Sequence, residues 1–234
     1  MISYENLPLK KEILNELKNL SIDYVFQPIF HPDGRTVFAR EALMRPADMT
    51  VTELIEKYTG LGKLHILEIA TFFGAMKEYL HRGYSEQVTI NSFPSETLTS
   101  EEAKAFEDRY GDPSSVGIVE ILEYPIKGEG SGPDQNEDTI IQSMPVAIDD
   151  FGSGCNDMSV VDAYNPQLVK LNRDLISGID HLPDKQKNVR RLVDEFHTRG
   201  IKVVAEGVEE KEEFDFLKEL GIDLYQGFYL ARPA

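Results

Sequence analysis

Short apolar runs alternate with longer segments of helical periodicity along most of this chain, and that rhythm restricts the fold more than any other feature. The runs are Tyr24–Phe30, Thr36–Leu43, Gln87–Asn91, Val116–Leu122, Pro145–Asp149, Gln167–Leu171, Ile201–Ala205 and Asp223–Tyr225. Between them Thr52–Tyr58, Leu64–His81, Ser100–Tyr110, Lys187–Arg199 and Lys211–Leu220 read as helices. Such alternation predicts βαβ units and a mainly parallel sheet. Gly200 and Gly221 each follow a helical segment and precede a strand, as helix-ending residues in the left-handed region do. Asp33-Gly34 between the first two runs reads as a hairpin turn. The first twenty residues read as an amphipathic helix with Ile13, Leu14, Leu17 and Leu20 on one face. About eight candidate strands in 234 residues fit a closed α/β barrel better than an open doubly wound sheet. Residues 1–234 are expected to form one domain, with the 1–20 helix packed on the barrel.

Charge and cysteine content then narrow the function. Lys and Arg total 24 against 41 Asp and Glu, a net charge of −17, and basic residues do not cluster. A surface for polymeric nucleic acid is therefore not expected. A small phosphorylated ligand remains compatible if cations invert the field locally. The single cysteine excludes an internal disulfide. No apolar run approaches the ~20 residues of a membrane span, and the N-terminus lacks a signal-peptide layout. A cytoplasmic setting without membrane contact is expected. The segment Lys127–Asp138 reads as a surface loop and carries no phosphate-loop signature.

The chemistry is written at the strand ends. Glu41, Asn91, Glu120 with Glu123, Asp149 with Asp150, Lys170 with Asn172, Glu206 and Gln226 each stand at or near the end of an apolar run. Singly, each is most economically a solvated edge residue. Seven runs with the same placement are harder to dismiss, because carboxylates that follow buried strands need a positive partner. Among these residues Lys170 is the one cation against the acids Glu41, Glu120, Asp149, Asp150 and Glu206. Oxygen-only donors point to hard ions, Mg²⁺ or Mn²⁺; the five histidines show no zinc spacing. Phe151-Gly152-Ser153-Gly154 supplies a flexible turn after the paired aspartates, which could hold two cations as in phosphodiester cleavage. Lys170 and Asn172, two apart, are expected to face one cavity.

In this order the motifs resemble the EAL-domain cyclic di-GMP phosphodiesterases. The match begins at Gln27-Pro28-Ile29 and Glu41-Ala42-Leu43 with Arg45. It continues through Asn91-Ser92, Glu120-Ile121-Leu122-Glu123, Asp149-Asp150-Phe151-Gly152-Ser153-Gly154 and Lys170, and closes with Ala205-Glu206-Gly207-Val208-Glu209 and Gln226-Gly227 leading to Pro233. The resemblance implies a TIM-like (β/α)₈ barrel with one antiparallel strand, and hydrolysis of cyclic di-GMP to linear pGpG with two Mg²⁺ or Mn²⁺ ions, Ca²⁺ being inhibitory. It implies one ion held by Glu41, Asn91, Glu120 and Asp149 and a second by Asp149, Asp150 and Glu206. Lys170 and Gln226 would position the attacking water, with Glu206 also a candidate base. Gln27, Leu43, Arg45 and Asn172 would meet the nucleotide, and Glu123 would anchor the loop after Asp150. A homodimer and regulation through a partner protein are expected on the same ground. Two departures stand out: Lys170-Leu171-Asn172 replaces the usual Lys-x-Asp, and Cys155-Asn156-Asp157 replaces Tyr-Ser-Ser. The competing expectation is an inactive relative that binds cyclic di-GMP or docks on a protein.

Overall fold

Eight strands close into a barrel in the computed structural model, which describes residues 4, 7–122, 143–154 and 156–234. They are β1 (Ile22–Phe30), β2 (Val37–Pro46), β3 (Gln87–Ser92), β4 (Gly117–Ile121), β5 (Val146–Phe151), β6 (Leu168–Leu171), β7 (Lys202–Glu206) and β8 (Leu224–Gln226). Neighbours in sequence are neighbours in space, and β1 runs antiparallel to both β2 and β8 while the remaining pairs are parallel. The β1–β2 turn is held by Asp33, whose carboxylate accepts from the Thr36 hydroxyl and from the Thr36 and Arg35 amides, with Gly34 at φ +65°. The barrel and hairpin expectations are both met.

The described helices are α1 (Lys11–Leu17), α2 (Val51–Gly60), α3 (Leu64–His81), α4 (Ser100–Tyr110), α5 (Pro113–Val116), α6 (Met158–Tyr164), α7 (Arg173–Ile176), α8 (Pro183–Thr198) and α9 (Lys211–Glu219). Capping boxes at Thr50/Glu53 and Thr99/Glu102 start α2 and α4. The N-terminal helix is shorter than the twenty residues expected. It begins after Pro8, whose ring and missing N–H exclude it from a helix interior. Leu17 and Leu20 are buried nonetheless. The loop at 127–138, together with Glu123 and Cys155, lies outside the described residues. Among the described residues no helix is long and apolar enough to cross a membrane.

The period-two geometry of strands places the site. Ile29, Ala39, Ile118, Ala147, Leu168, Val204 and Leu224 form a separate apolar cluster, one residue from each of seven strands. Two residues farther toward the same rim stand Gln27, Glu41, Glu120, Asp149, Lys170, Glu206 and Gln226. Alternate residues share a face, so the apolar plug is one layer of the barrel interior and these polar side chains are the next layer up, at the C-terminal ends of the parallel strands. The intervening residues, such as Val119, Ile148, Val169 and Ala205, face the helices and join the larger core.

Candidate functional site

Lys170 reaches the centre of that polar layer. Its side chain is 1% exposed, and Nζ lies 2.7 Å from Asp149 Oδ1, 3.2 Å from Glu41 Oε2, 3.2 Å from Glu120 Oε2 and 3.5 Å from Glu206 Oε2. Burial alone would lower the affinity of this amine for its proton, but Asp149, Glu120, Glu206 and Glu41 together override it and hold the ammonium well above its ordinary range. The acids respond to the same crowding. Burial, and then the neighbouring Glu41 and Asp149, push Glu120 up to about 8 despite Lys170. Burial and the neighbouring Asp149, Glu41 and Asp150 likewise raise Glu206, although 26% of its side-chain surface stays open to a cavity, which weakens the burial contribution. Four acids around one cation leave the cluster short of positive charge.

Amides complete the layer. Gln226 Nε2 donates to Glu41 Oε2 at 2.6 Å. Asn91 Nδ2 donates to the Ala42 carbonyl at 3.3 Å. The opposite oxygens, Asn91 Oδ1 and Gln226 Oε1, are buried without a hydrogen-bond partner. A buried, unpaired amide oxygen is expensive, and a hard cation is a suitable partner for it. The donor set therefore fits Mg²⁺ or Mn²⁺. As they stand, no three His, Cys, Asp or Glu side chains among the described residues are arranged to hold an ion, and the central position belongs to the Lys170 ammonium.

Two cavities flank the cluster. One of about 240 Å³ is lined by Glu41, Leu43, Arg45, Asn91 and Asp149 with apolar residues including Phe93 and Leu122. Arg45 is exposed there and donates to the Met44 carbonyl at 2.9 Å. The other, of about 180 Å³, is lined by Gln27, Glu206, Glu209, Gln226 and Phe228. Gln27 Nε2 donates to the Ala231 carbonyl at 3.1 Å, tying β1 to the C-terminal segment. Glu41, Asn91, Glu120, Asp149, Lys170, Glu206 and Gln226 are thus brought together, with Leu43, Arg45 and Gln27 at the adjoining openings.

Asn172 differs from expectation. β6 ends at Leu171, so Asn172 does not alternate with Lys170 on a strand. It caps α7, its oxygen accepting from Asp174 N–H at 2.7 Å, while Nδ2 donates to Asp150 Oδ1 at 2.6 Å. The paired aspartates both reach the end of β6, Asp149 at Lys170 and Asp150 at Asn172, for a reason other than the strand's end. β5 continues to Phe151, but its register against β6 slips between Ile148 and Phe151, and Asp150 takes φ +48°.

Sequence reading missed Glu68. This carboxylate on α3 is fully buried, accepting from Ser92 Oγ at 2.6 Å and Phe93 N–H at 3.1 Å, and so braces the chain just after Asn91. Burial raises it to about 8, partly offset by those two bonds. Its signal was one carboxylate inside a helix buried on nearly every side, Leu67 to Met76.

Comparison with known proteins places the barrel among related folds. The curated relatives include the cyclic di-GMP phosphodiesterase RocR of Pseudomonas aeruginosa, 24% identical over 249 residues that cover 99% of this chain and 62% of RocR. The chain spans less than two thirds of the length of the curated relatives it matches. Among solved structures, the c-di-GMP bound form of a standalone versatile EAL protein from Vibrio cholerae O395 has a TM-score of 0.78 at 24% identity, covering 92% of this chain and 93% of the other. The manganese/cy-diGMP complex of Klebsiella pneumoniae BlrP1 has a TM-score of 0.73 at 23% identity, covering 92% and 57%. The sequence pattern of one family runs through residues 10–233, from α1 to Pro233, and takes in every strand of the barrel. By that match this chain belongs to the EAL domain family.

Proposed function

We propose that this protein is a metal-dependent phosphodiesterase that hydrolyses cyclic di-GMP to linear pGpG. The observation that carries the reading is the convergence of carboxylates from four strands, β2, β4, β5 and β7, within 3.5 Å of one buried ammonium. Such a concentration of acids is costly without cations, and among the described residues Lys170 is the one cationic side chain in contact with all four. Glu41, Asn91, Glu120 and Asp149 would hold one Mg²⁺ or Mn²⁺, and Asp149, Asp150 and Glu206 a second. Bound divalent cations make water acidic enough to attack near neutral pH and offset the charge of a phosphodiester.

The chain's own residues supply the rest. Gln226, bonded to Glu41, fixes that carboxylate and keeps its own amide oxygen without a hydrogen-bond partner. Lys170, within 3.5 Å of all four carboxylates, would orient the attacking water or stabilise charge on the phosphate. Glu206, whose side chain opens to a cavity, is the candidate group to take a proton from water. Arg45 offers a guanidinium to a phosphate, while Leu43 and Gln27 border the openings where the nucleoside halves would lie. Solved relatives described as bound to c-di-GMP, one of them with manganese, support the ligand and the ion.

A second reading, a cyclic di-GMP receptor without turnover, is favoured by two observations: Lys170 fills the centre of the carboxylates, and Asn172 rather than an acid meets Asp150. Incubation with Mn²⁺ and cyclic di-GMP, followed by chromatography of the nucleotides, separates the two. The enzyme reading expects pGpG. Saturable binding with no product at any metal concentration or pH would establish the receptor.

A further inference from the structure

The Asp149-Asp150 dipeptide does something a regular strand forbids. Successive side chains on a strand point to opposite faces, yet Asp149 contacts Lys170 at 2.7 Å and Asp150 meets Asn172, two residues beyond Lys170, at 2.6 Å. The backbone achieves this through the slipped register and the left-handed conformation at Asp150, a region that aspartate tolerates better than most non-glycine residues and that local contacts stabilise.

Two asparagine amides supply that hold, one from each side. Asn156 is buried, and its Nδ2 donates to the Asp149 carbonyl. Its own backbone closes the loop, with Gly152 N–H donating to Asn156 O at 3.0 Å and Asn156 N–H to Ser153 O at 3.1 Å. Asn172 donates from Nδ2 to Asp150 Oδ1, and its amide plane is fixed because Oδ1 must face the Asp174 N–H it caps. The Asn172 backbone N–H also donates to Phe151 O at 3.1 Å, so the far end of the bulge is pinned as well. Neither asparagine stands in the carboxylate layer itself. Each meets the aspartate pair through a side-chain N–H that an aspartate or serine in its place would not present in the same way.

We propose that Asn156 and Asn172 are positioning residues that clamp the Asp149-Asp150 bulge so that both carboxylates address one divalent cation. The inference rests on the ion-binding reading above. It also gives the two sequence departures at these positions one shared role: the amides pre-set in the ion-free protein a carboxylate arrangement that would otherwise relax.

The test is Mn²⁺ binding, measured from the free-ion electron paramagnetic resonance signal in the unaltered protein, Asn156→Ala and Asn172→Ser. Serine at 172 keeps a capping oxygen but cannot reach Asp150 with a donor. The clamp predicts that the weaker Mn²⁺ affinity falls by about tenfold or more in each variant, as loss of groups that orient metal ligands does. Melting in chelator should change little in both, and in Asn156→Ala kcat at saturating Mn²⁺ should recover although the Mn²⁺ concentration for half-activity rises. Affinities within twofold of the parent in both variants would overturn the clamp while leaving the ion sites standing. If Asn156→Ala does not fold, Asn172→Ser decides alone. A parent protein that binds no Mn²⁺ would overturn the ion-binding reading and the clamp with it.

Discussion

Lys170 Nζ stands 2.7 Å from Asp149 Oδ1, the shortest of its four contacts with carboxylates at the barrel rim. In the ion-free protein this ammonium is the counter-charge that lets the acids sit together. Lys170→Met should therefore destabilise the protein in chelator by about 3–5 kcal/mol, the usual consequence of removing one partner from a buried charge cluster. For a chain of this size that is a melting-temperature loss of roughly 6–20 °C. Added Mn²⁺ should restore part of it, and the loss should be smaller below pH 8, where Glu120 keeps its proton, than above it. Thermal melting with and without chelator reads all three.

Glu41 carries two of the cluster's hydrogen bonds and belongs to the proposed first ion site. Glu41→Ala should lower turnover of cyclic di-GMP by more than about 100-fold, since even groups that merely orient a metal ligand change activity by up to that factor. An unchanged rate in a steady-state assay would contradict its assignment.

Arg45 is exposed beside the larger cavity and has no acidic side-chain partner among its described hydrogen bonds. Arg45→Ala should raise KM for cyclic di-GMP about tenfold or more, the worth of a hydrogen bond to a charged group, with kcat nearly unchanged. A fall in kcat at constant KM would place it in the chemical step instead.

Glu68 sets a pH dependence distinct from catalysis. Its folded value of about 8 lies above that of the unfolded chain, so the native state holds a proton that the unfolded state has released. Stability is fully present below the unfolded value near 4.5 and declines as pH rises toward 8; Glu120 adds to the same slope when no ion is bound. Glu68→Gln keeps both contacts, because the Ser92 hydroxyl can accept as well as donate. The variant should melt with a visibly flatter pH profile between 5 and 9 in chelator.

Much of this site was legible before the fold was known, for a simple reason. Period-two alternation makes a polar residue at the end of an apolar run, such as Glu120 after Ile118 or Glu206 after Val204, point where the run's inward face points. The eight strands and the longer helices followed from the same periodicities. Less accessible was anything set by a single irregular dihedral or a cap. Asn172 was assigned to a strand because its spacing from Lys170 is two, whereas its side chain caps the next helix. The turn at Asp150 needs a positive φ that no local composition demands. Helices α5, α6 and α7 span seven residues or fewer, too short to show a period. Glu68 and Asn156 act through neighbours in space, Ser92 and Asp149, that a linear reading does not pair.

The central claim is that carboxylate and amide groups from separate strands cage two cations at this rim. Diffraction at the manganese absorption edge, from crystals grown in saturating Mn²⁺, tests it most directly. The account predicts two anomalous peaks, one touching Glu41, Asn91, Glu120 and Asp149 and one touching Asp149, Asp150 and Glu206, with the Lys170 ammonium moved off its central position. A rim without a peak, and Lys170 still holding its four carboxylates, would contradict it.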